Sequence, residues 1–300
     1  MSPALLLVVY CSMILLASLS GGWIPMLVRV THTRMQVAIS LVAGVMLGVG
    51  LLHMIPHSNY ELHDMDQTMW WVIFGFLLMF FLERFFHFHH HDAPEESEPH
   101  AHEHCDHDHH DQPHAHDRGP PTAHAFSWGG AFIGLALHSA VDGIALAAAV
   151  AVEEHDGAVP TLAGLGTFLA IFLHKPFDSL SIGTLMGAGG WSDKARHWVN
   201  VAYAAVLPLG VLLFMFGIDR AGGGYAPFLG RALGFAGGAF LCIATSDLLP
   251  ELQFHSHDRF KLSVALIAGV AIAWAICLVE TRGHTHVKPE VEHHDHGHEH

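Results

Sequence analysis

The sequence predicts an all-α integral membrane protein with eight transmembrane helices. Three observations carry that expectation. Hydrophobic residues make up 51% of the chain and charged residues only 14%, against roughly 25% charged in typical soluble domains. The apolar residues fall in runs of about 20, the length a helix needs to cross a bilayer. Polar or Gly/Pro breaks separate those runs.

Taken in order, the spans are expected at residues 4–28, 36–57, 69–88, 127–152, 161–187, 197–217, 227–251 and 262–280. The first could be mistaken for a secretory signal. It lacks a positively charged start and stays apolar through "GGWIPMLV" to Arg29, so a retained helix is expected. The chain then divides into helices one to three (1–88), a disordered His-rich loop (89–126), helices four to eight (127–282) and a His-rich tail (283–300). The loop has almost no apolar residues with which to offset its ordering entropy.

Lys and Arg in the connections set the orientation. Arg29, Arg34, Arg84, Arg118, Lys194, Arg196, Arg259 and Lys261 flank one side, and Arg220, Arg231, Arg282 and Lys288 the other. Eight against four places the loop in the cytoplasm and both termini outside a plasma (inner) membrane.

The formal charge of −15 is local, since nine of the 28 acidic residues lie in 87–124 and five in 280–300. Those two segments also hold 13 and 7 of the 30 histidines. With 13 basic residues spread thinly, no basic patch would attract nucleic acid. Divalent metal ions and the lipid bilayer are the expected partners, and a homodimer stays open. In the loop, His104, Cys105, His107 and His109 are candidate accessory metal ligands. Neutral imidazole is the ligand form, so that binding should weaken below about pH 6. The other cysteines fall in apolar runs and give no disulfide framework.

The informative residues lie inside the spans. "LALHSAVDGIALAAAV" carries His138 and Asp142, and "FLHKPFDSLSIG" carries His174 and Asp178. Spacing of i, i+4 puts each pair on one helical face. Both pairs fall near the middle of their spans, on consecutive helices joined by a short loop. An ionised group there costs roughly 2.5–3.5 kcal/mol on insertion scales, so the groups either neutralise one another or surround a cation. A His₂Asp₂ set suits tetrahedral Zn²⁺, although imidazole also suits other first-row metals. Polar glue between helices is the alternative. Pro176 is expected to kink the fifth helix beside the site. Two further i, i+4 pairs, His53 with His57 and Asp247 with Glu251, are candidate pathway residues at the ends of helices two and seven.

These motifs resemble the ZIP family of divalent-metal transporters. "HSAVDG" is similar to the family's fourth-helix motif, and "HKPFDS" takes the place of the fifth. "LGVGLLHMIPHS" (47–58) is similar to its second helix and "GAFLCIATSDLLPEL" (238–252) to its seventh. The resemblance implies an eight-helix ZIP-type fold with an internal inverted repeat. It further implies metal import toward the cytosol and a primary site of His138, Asp142, His174 and Asp178. Many relatives hold two ions, the second using the residue after each motif histidine and a carboxylate on helix six. Here those positions are Ser139 and Lys175, and 198–217 has no carboxylate. An ammonium at 175, pairing with Asp178, would stand in for the second cation, so one transported ion is expected. The expected function is therefore transport of Zn²⁺, with Fe²⁺, Mn²⁺ or Cd²⁺ as other candidate ions, by a protein that is not an enzyme and requires no cofactor. A cation-diffusion-type exporter and an intramembrane zinc-dependent hydrolase are the alternatives.

Overall fold

The computed structural model describes residues 2–22, 32–86, 122–155, 162–248 and 259–282. All regular structure among them is helical. The elements are α1 (Pro3–Gly21); α2, built from His32–Val49, a π-helical turn Gly50–Met54 and Ile55–Leu62; and α3 (Met65–Phe86). They continue with α4 (Thr122–His155), α5 (Leu165–Ala188) and α6, which joins Asp193–Ala204 to Val206–Ala221. Last come α7, Tyr225–Ile243 ending in a second π-helical turn Ala244–Leu248, and α8 (Arg259–Arg282). Among the described residues, seven helices are long and apolar enough to cross a membrane. The eighth, α5, spans 24 residues and carries His174, Lys175 and Asp178 in its interior.

Boundaries follow local chemistry. Ser2 caps α1, its hydroxyl accepting from Leu5 N at 3.3 Å, with Pro3 in the first turn. Ser192 caps α6 in the same way through Ala195 N. The helix α4 starts at Thr122, earlier than expected. The expected end of the first span, 22–28, lies largely outside the described residues.

Four helix pairs pack closely, α1 with α5, α4 with α6, α2 with α8 and α3 with α7, and α2 also lies close against α7. Each pair meets where a glycine lets two backbones approach. A Cβ at Gly21 would strike the Pro176 backbone, one at Gly143 the Leu207 carbonyl, and one at Gly210 the Ala140 carbonyl. On the other side, Gly44 faces Leu266, Gly269 faces Leu41, Gly75 faces Phe235 and Gly238 faces Val72. Pro176 does not end α5, which runs continuously through it; the proline instead marks the closest approach of α1.

The pairs assemble into two groups, α1/α4/α5/α6 and α2/α3/α7/α8, which meet chiefly where α4 lies against α7 and α2 against α5. Exchanging α1 with α6, α2 with α7, α3 with α8 and α4 with α5 maps the four pairs onto themselves, as an inverted repeat requires. The π-helical turns obey the same exchange, one in α2 and one in α7. At the centre, Ala145–Val150 of α4 is buried on every side. The outer faces of α3, α6 and α8 expose Phe74, Phe81, Leu212, Leu213, Ile267 and Trp274, the apolar surface that a bilayer covers.

Candidate metal centre

Halfway along α4 and near the middle of α5, the two i, i+4 pairs face one another. His138, Asp142, His174 and Asp178 place one ligand atom each within 4.8 Å of the others. His138 Nε2 lies 3.3 Å from His174 Nε2 and 3.5 Å from Asp142 Oδ2. His174 Nε2 lies 3.3 Å from Asp142 Oδ2, and both imidazoles lie 3.8 Å from Asp178 Oδ2. A tetrahedral zinc with bonds near 2.1 Å has ligand–ligand edges of about 3.4 Å. The five measured separations bracket that edge, so the donor set fits one tetrahedral ion.

The ring of His174 is held by its own helix. Its Nδ1–H donates to the Ala170 carbonyl at 2.8 Å, which leaves the Nε2 lone pair of the neutral ring turned to the other ligands. Asp142 is fully buried, and its Oδ1 has no hydrogen-bond partner among the described residues. Asp178 keeps slight exposure, at 15% of its side chain.

Lys175 is completely buried within this cluster. Its Nζ donates to Asp142 Oδ2 at 2.8 Å and lies 3.4 Å from Asp178 Oδ2. The lysine thus pairs more closely with the aspartate across the helix interface than with its own i+3 neighbour. Tyr203 of α6 packs under it, with Nζ 5.1 Å from the ring centroid. The Tyr203 hydroxyl donates to Asp178 Oδ2 at 2.8 Å. Ser139 is buried beside His138. Sequence reasoning missed Tyr203, although Asn200 and Tyr203 are the polar positions of an otherwise apolar stretch, spaced to share a face.

A cavity of about 350 Å³ opens next to the cluster, at the end of the bundle where α1 and α5 finish and α6 begins. Gly22, Ser179, Gly183, Arg196, His197 and Asn200 are among the residues lining it. It reaches the residue after Asp178, the most exposed of the four side chains.

A profile of the ZIP zinc transporter family matches residues 4–118 and 88–277 of the chain. The chain belongs to the ZIP zinc transporter family. Among curated ZIP proteins it is 32% identical over 165 residues to zinc transporter ZIP9-B of Xenopus laevis, covering 51% of this chain and 52% of that protein. It is 30% identical over 166 residues to zinc transporter ZIP9 of Micropogonias undulatus, covering 51% of each. Zinc transporter foi of Drosophila melanogaster is 30% identical over 164 residues, covering 54% of this chain and 21% of that protein. The chain spans about half the length of the first of these ZIP relatives.

The pathway candidates fare differently. His53 sits in the π-helical turn of α2 and is buried, with His57 half-buried one turn further on. Asp247 lies in the π-helical turn of α7, but its side chain lies outside the described residues. So do Glu251, His104, Cys105, His107, His109 and the C-terminal tail. At that turn the structure brings in a carboxylate that sequence reasoning did not select. Glu83 of α3 is buried and accepts from the Ser246 hydroxyl, with the Cys242 thiol 3.7 Å away.

Proposed function

We propose that this chain carries divalent cations, zinc foremost, across the membrane through one mid-depth site formed by His138, Asp142, His174 and Asp178. The single observation that carries the reading is the agreement between the ligand separations and the edges of a zinc tetrahedron. Family membership supports the choice of ion.

On the orientation that the Lys and Arg bias supports, the cavity faces the cytosol, and import down a zinc gradient is the direction we propose. In this arrangement the ion sits between α4 and α5 and leaves past Asp178, Ser179 and Asn200. The opposite side is closed by the buried Ala145–Val150 stretch. Arrival from outside therefore requires α1/α4/α5/α6 to shift against α2/α3/α7/α8, exposing the same four ligands to the other face.

The test is zinc-gradient-driven uptake into proteoliposomes. The protein is expected to admit Zn²⁺, and Asp178→Ala to reduce uptake at least tenfold, the low end of what losing a metal ligand's support costs. Uptake by Asp178→Ala at the wild-type rate would refute the site.

One ion per site follows from charge. Two carboxylates and one ammonium leave a net −1, which a single divalent ion already overcompensates. Removing the ammonium with Lys175→Asn should admit a second ion beside the first, seen as a second anomalous peak in zinc-loaded crystals. An unchanged single peak would count against lysine as the substitute cation.

A further inference from the structure

A second cluster lies away from the cavity, toward the end of the bundle where α4 and α8 finish. His53 Nε2 is 3.1 Å from Glu153 Oε1 of α4, and His53 Nδ1 is 3.3 Å from Glu280 Oε2 of α8. All three side chains are buried, and one ligand atom from each lies within 4.8 Å of the others. Measured along the helices at about 1.5 Å per residue, Glu153 is roughly 22 Å beyond His138. Gly166, whose N–H donates to Glu280 Oε1 at 3.2 Å, is roughly 12 Å from His174. The two clusters are separate.

We propose that His53, Glu153 and Glu280 form a second divalent-cation site. Two carboxylates face a single imidazole at these contacts, so the cluster holds more negative charge than the ring can balance by itself. The two glutamates approach different ring nitrogens, yet one ligand atom from each of the three residues still lies within 4.8 Å of the others, close enough to share an ion. A neutral imidazole also carries one N–H for two facing carboxylates, so one ring nitrogen turns a lone pair toward negative charge. Glu153 is fully buried and its Oε2 has no partner among the described residues, which at this depth is costly without a cation. One imidazole nitrogen and two carboxylates make a three-ligand set of the kind that holds Zn²⁺ with a position left for water.

The surroundings complete the case. The Tyr10 hydroxyl is buried without a hydrogen-bond partner among the described residues and lies within electrostatic range of both glutamates. The His57 ring stands 4.7 Å from that of His53, on the side leading to the chain surface. The imidazole comes from the π-helical turn of α2. His53 is buried within that turn, and π-helical turns of this kind are frequent at functional sites.

The location gives the site its consequence. His53 and Glu280 belong to one helix group, and Glu153 belongs to the other. An ion bound here ties the two groups together in the arrangement described. Binding at this cluster does not depend on whether the chain transports, so the two readings can fail independently.

The test is anomalous diffraction from crystals of the full chain grown with Cd²⁺. Two peaks are expected, one among His138, Asp142, His174 and Asp178 and one among His53, Glu153 and Glu280. Glu153→Gln/Glu280→Gln should lower the second peak's occupancy at least about tenfold and leave the first, which also shows that the variant is folded. If the double variant does not crystallise, His53→Gln decides the same question. A wild-type map with the central peak alone overturns the second site and reduces the cluster to an imidazolium bridged by carboxylates. A second peak that survives in the variants overturns the ligand assignment.

Discussion

Asp142→Ala is expected to abolish zinc uptake and to destabilise the fold by about 3–5 kcal/mol, the range for breaking a buried ion pair by removing one partner. The carboxylate is the hub of the central cluster. Its Oδ2 lies within 3.5 Å of both imidazoles and accepts from Lys175. Alanine removes a ligand and leaves a fully buried ammonium whose remaining carboxylate is 3.4 Å away and shared with Tyr203. Adding Lys175→Met removes the orphaned charge and should return most of the lost stability, measured by thermal unfolding in detergent, without returning uptake. That separation distinguishes a ligand from a structural salt bridge. A double variant as unstable as the single one would show that the lysine is not what Asp142 stabilises.

The second large effect is steric. Gly238→Ala should destabilise the protein by about 1–3 kcal/mol or more, as overpacking does, because the new methyl would collide with the Val72 carbonyl and the Phe76 amide. Both are backbone atoms, so no rotamer change relieves the clash and α3 must move off α7. Combining it with Gly75→Ala, which meets Phe235 from the opposite helix, should prevent folding. Gly183→Ala is the control. Nothing lies within 4 Å of its added methyl, and alanine improves helix propensity by about 1 kcal/mol. Equal thermal stability for Gly238→Ala and the control would refute the clasp.

The helical membrane architecture and the facing His/Asp pairs were legible because each is a local pattern. An apolar run encodes a span, and i, i+4 spacing encodes a shared face. The rest depends on what other helices bring. Glu153 and Glu280 each sit near the end of an apolar run, where a carboxylate reads as a boundary, and only packing against α2 shows them converging on His53. Tyr203 looked like an ordinary span residue until α6 laid it against Asp178. Lys175 was expected to pair with Asp178 because only that partner was close in sequence. The shorter contact, to Asp142, crosses between helices. The π-helical turns leave no periodic signature, yet they aim His53 and place Ser246 against Glu83.

The glycine approaches have a mechanical consequence in where they are missing. Among the described residues, the glycines that bring two backbones closest together, at residues 21, 44, 75, 143, 210, 238 and 269, all lie within α1/α4/α5/α6 or within α2/α3/α7/α8. Between the groups, Gly166 meets Val49 and Ile276 at 3.6 Å, ordinary van der Waals distance. The neighbouring wall of α4 is largely alanine. Interlocked backbones resist shear, whereas small side chains at ordinary contact distance offer few ridges to climb. Contact between the groups is therefore looser in its backbone packing than contact within them, and the buried polar links His53–Glu153 and Gly166–Glu280 are what pin one group to the other.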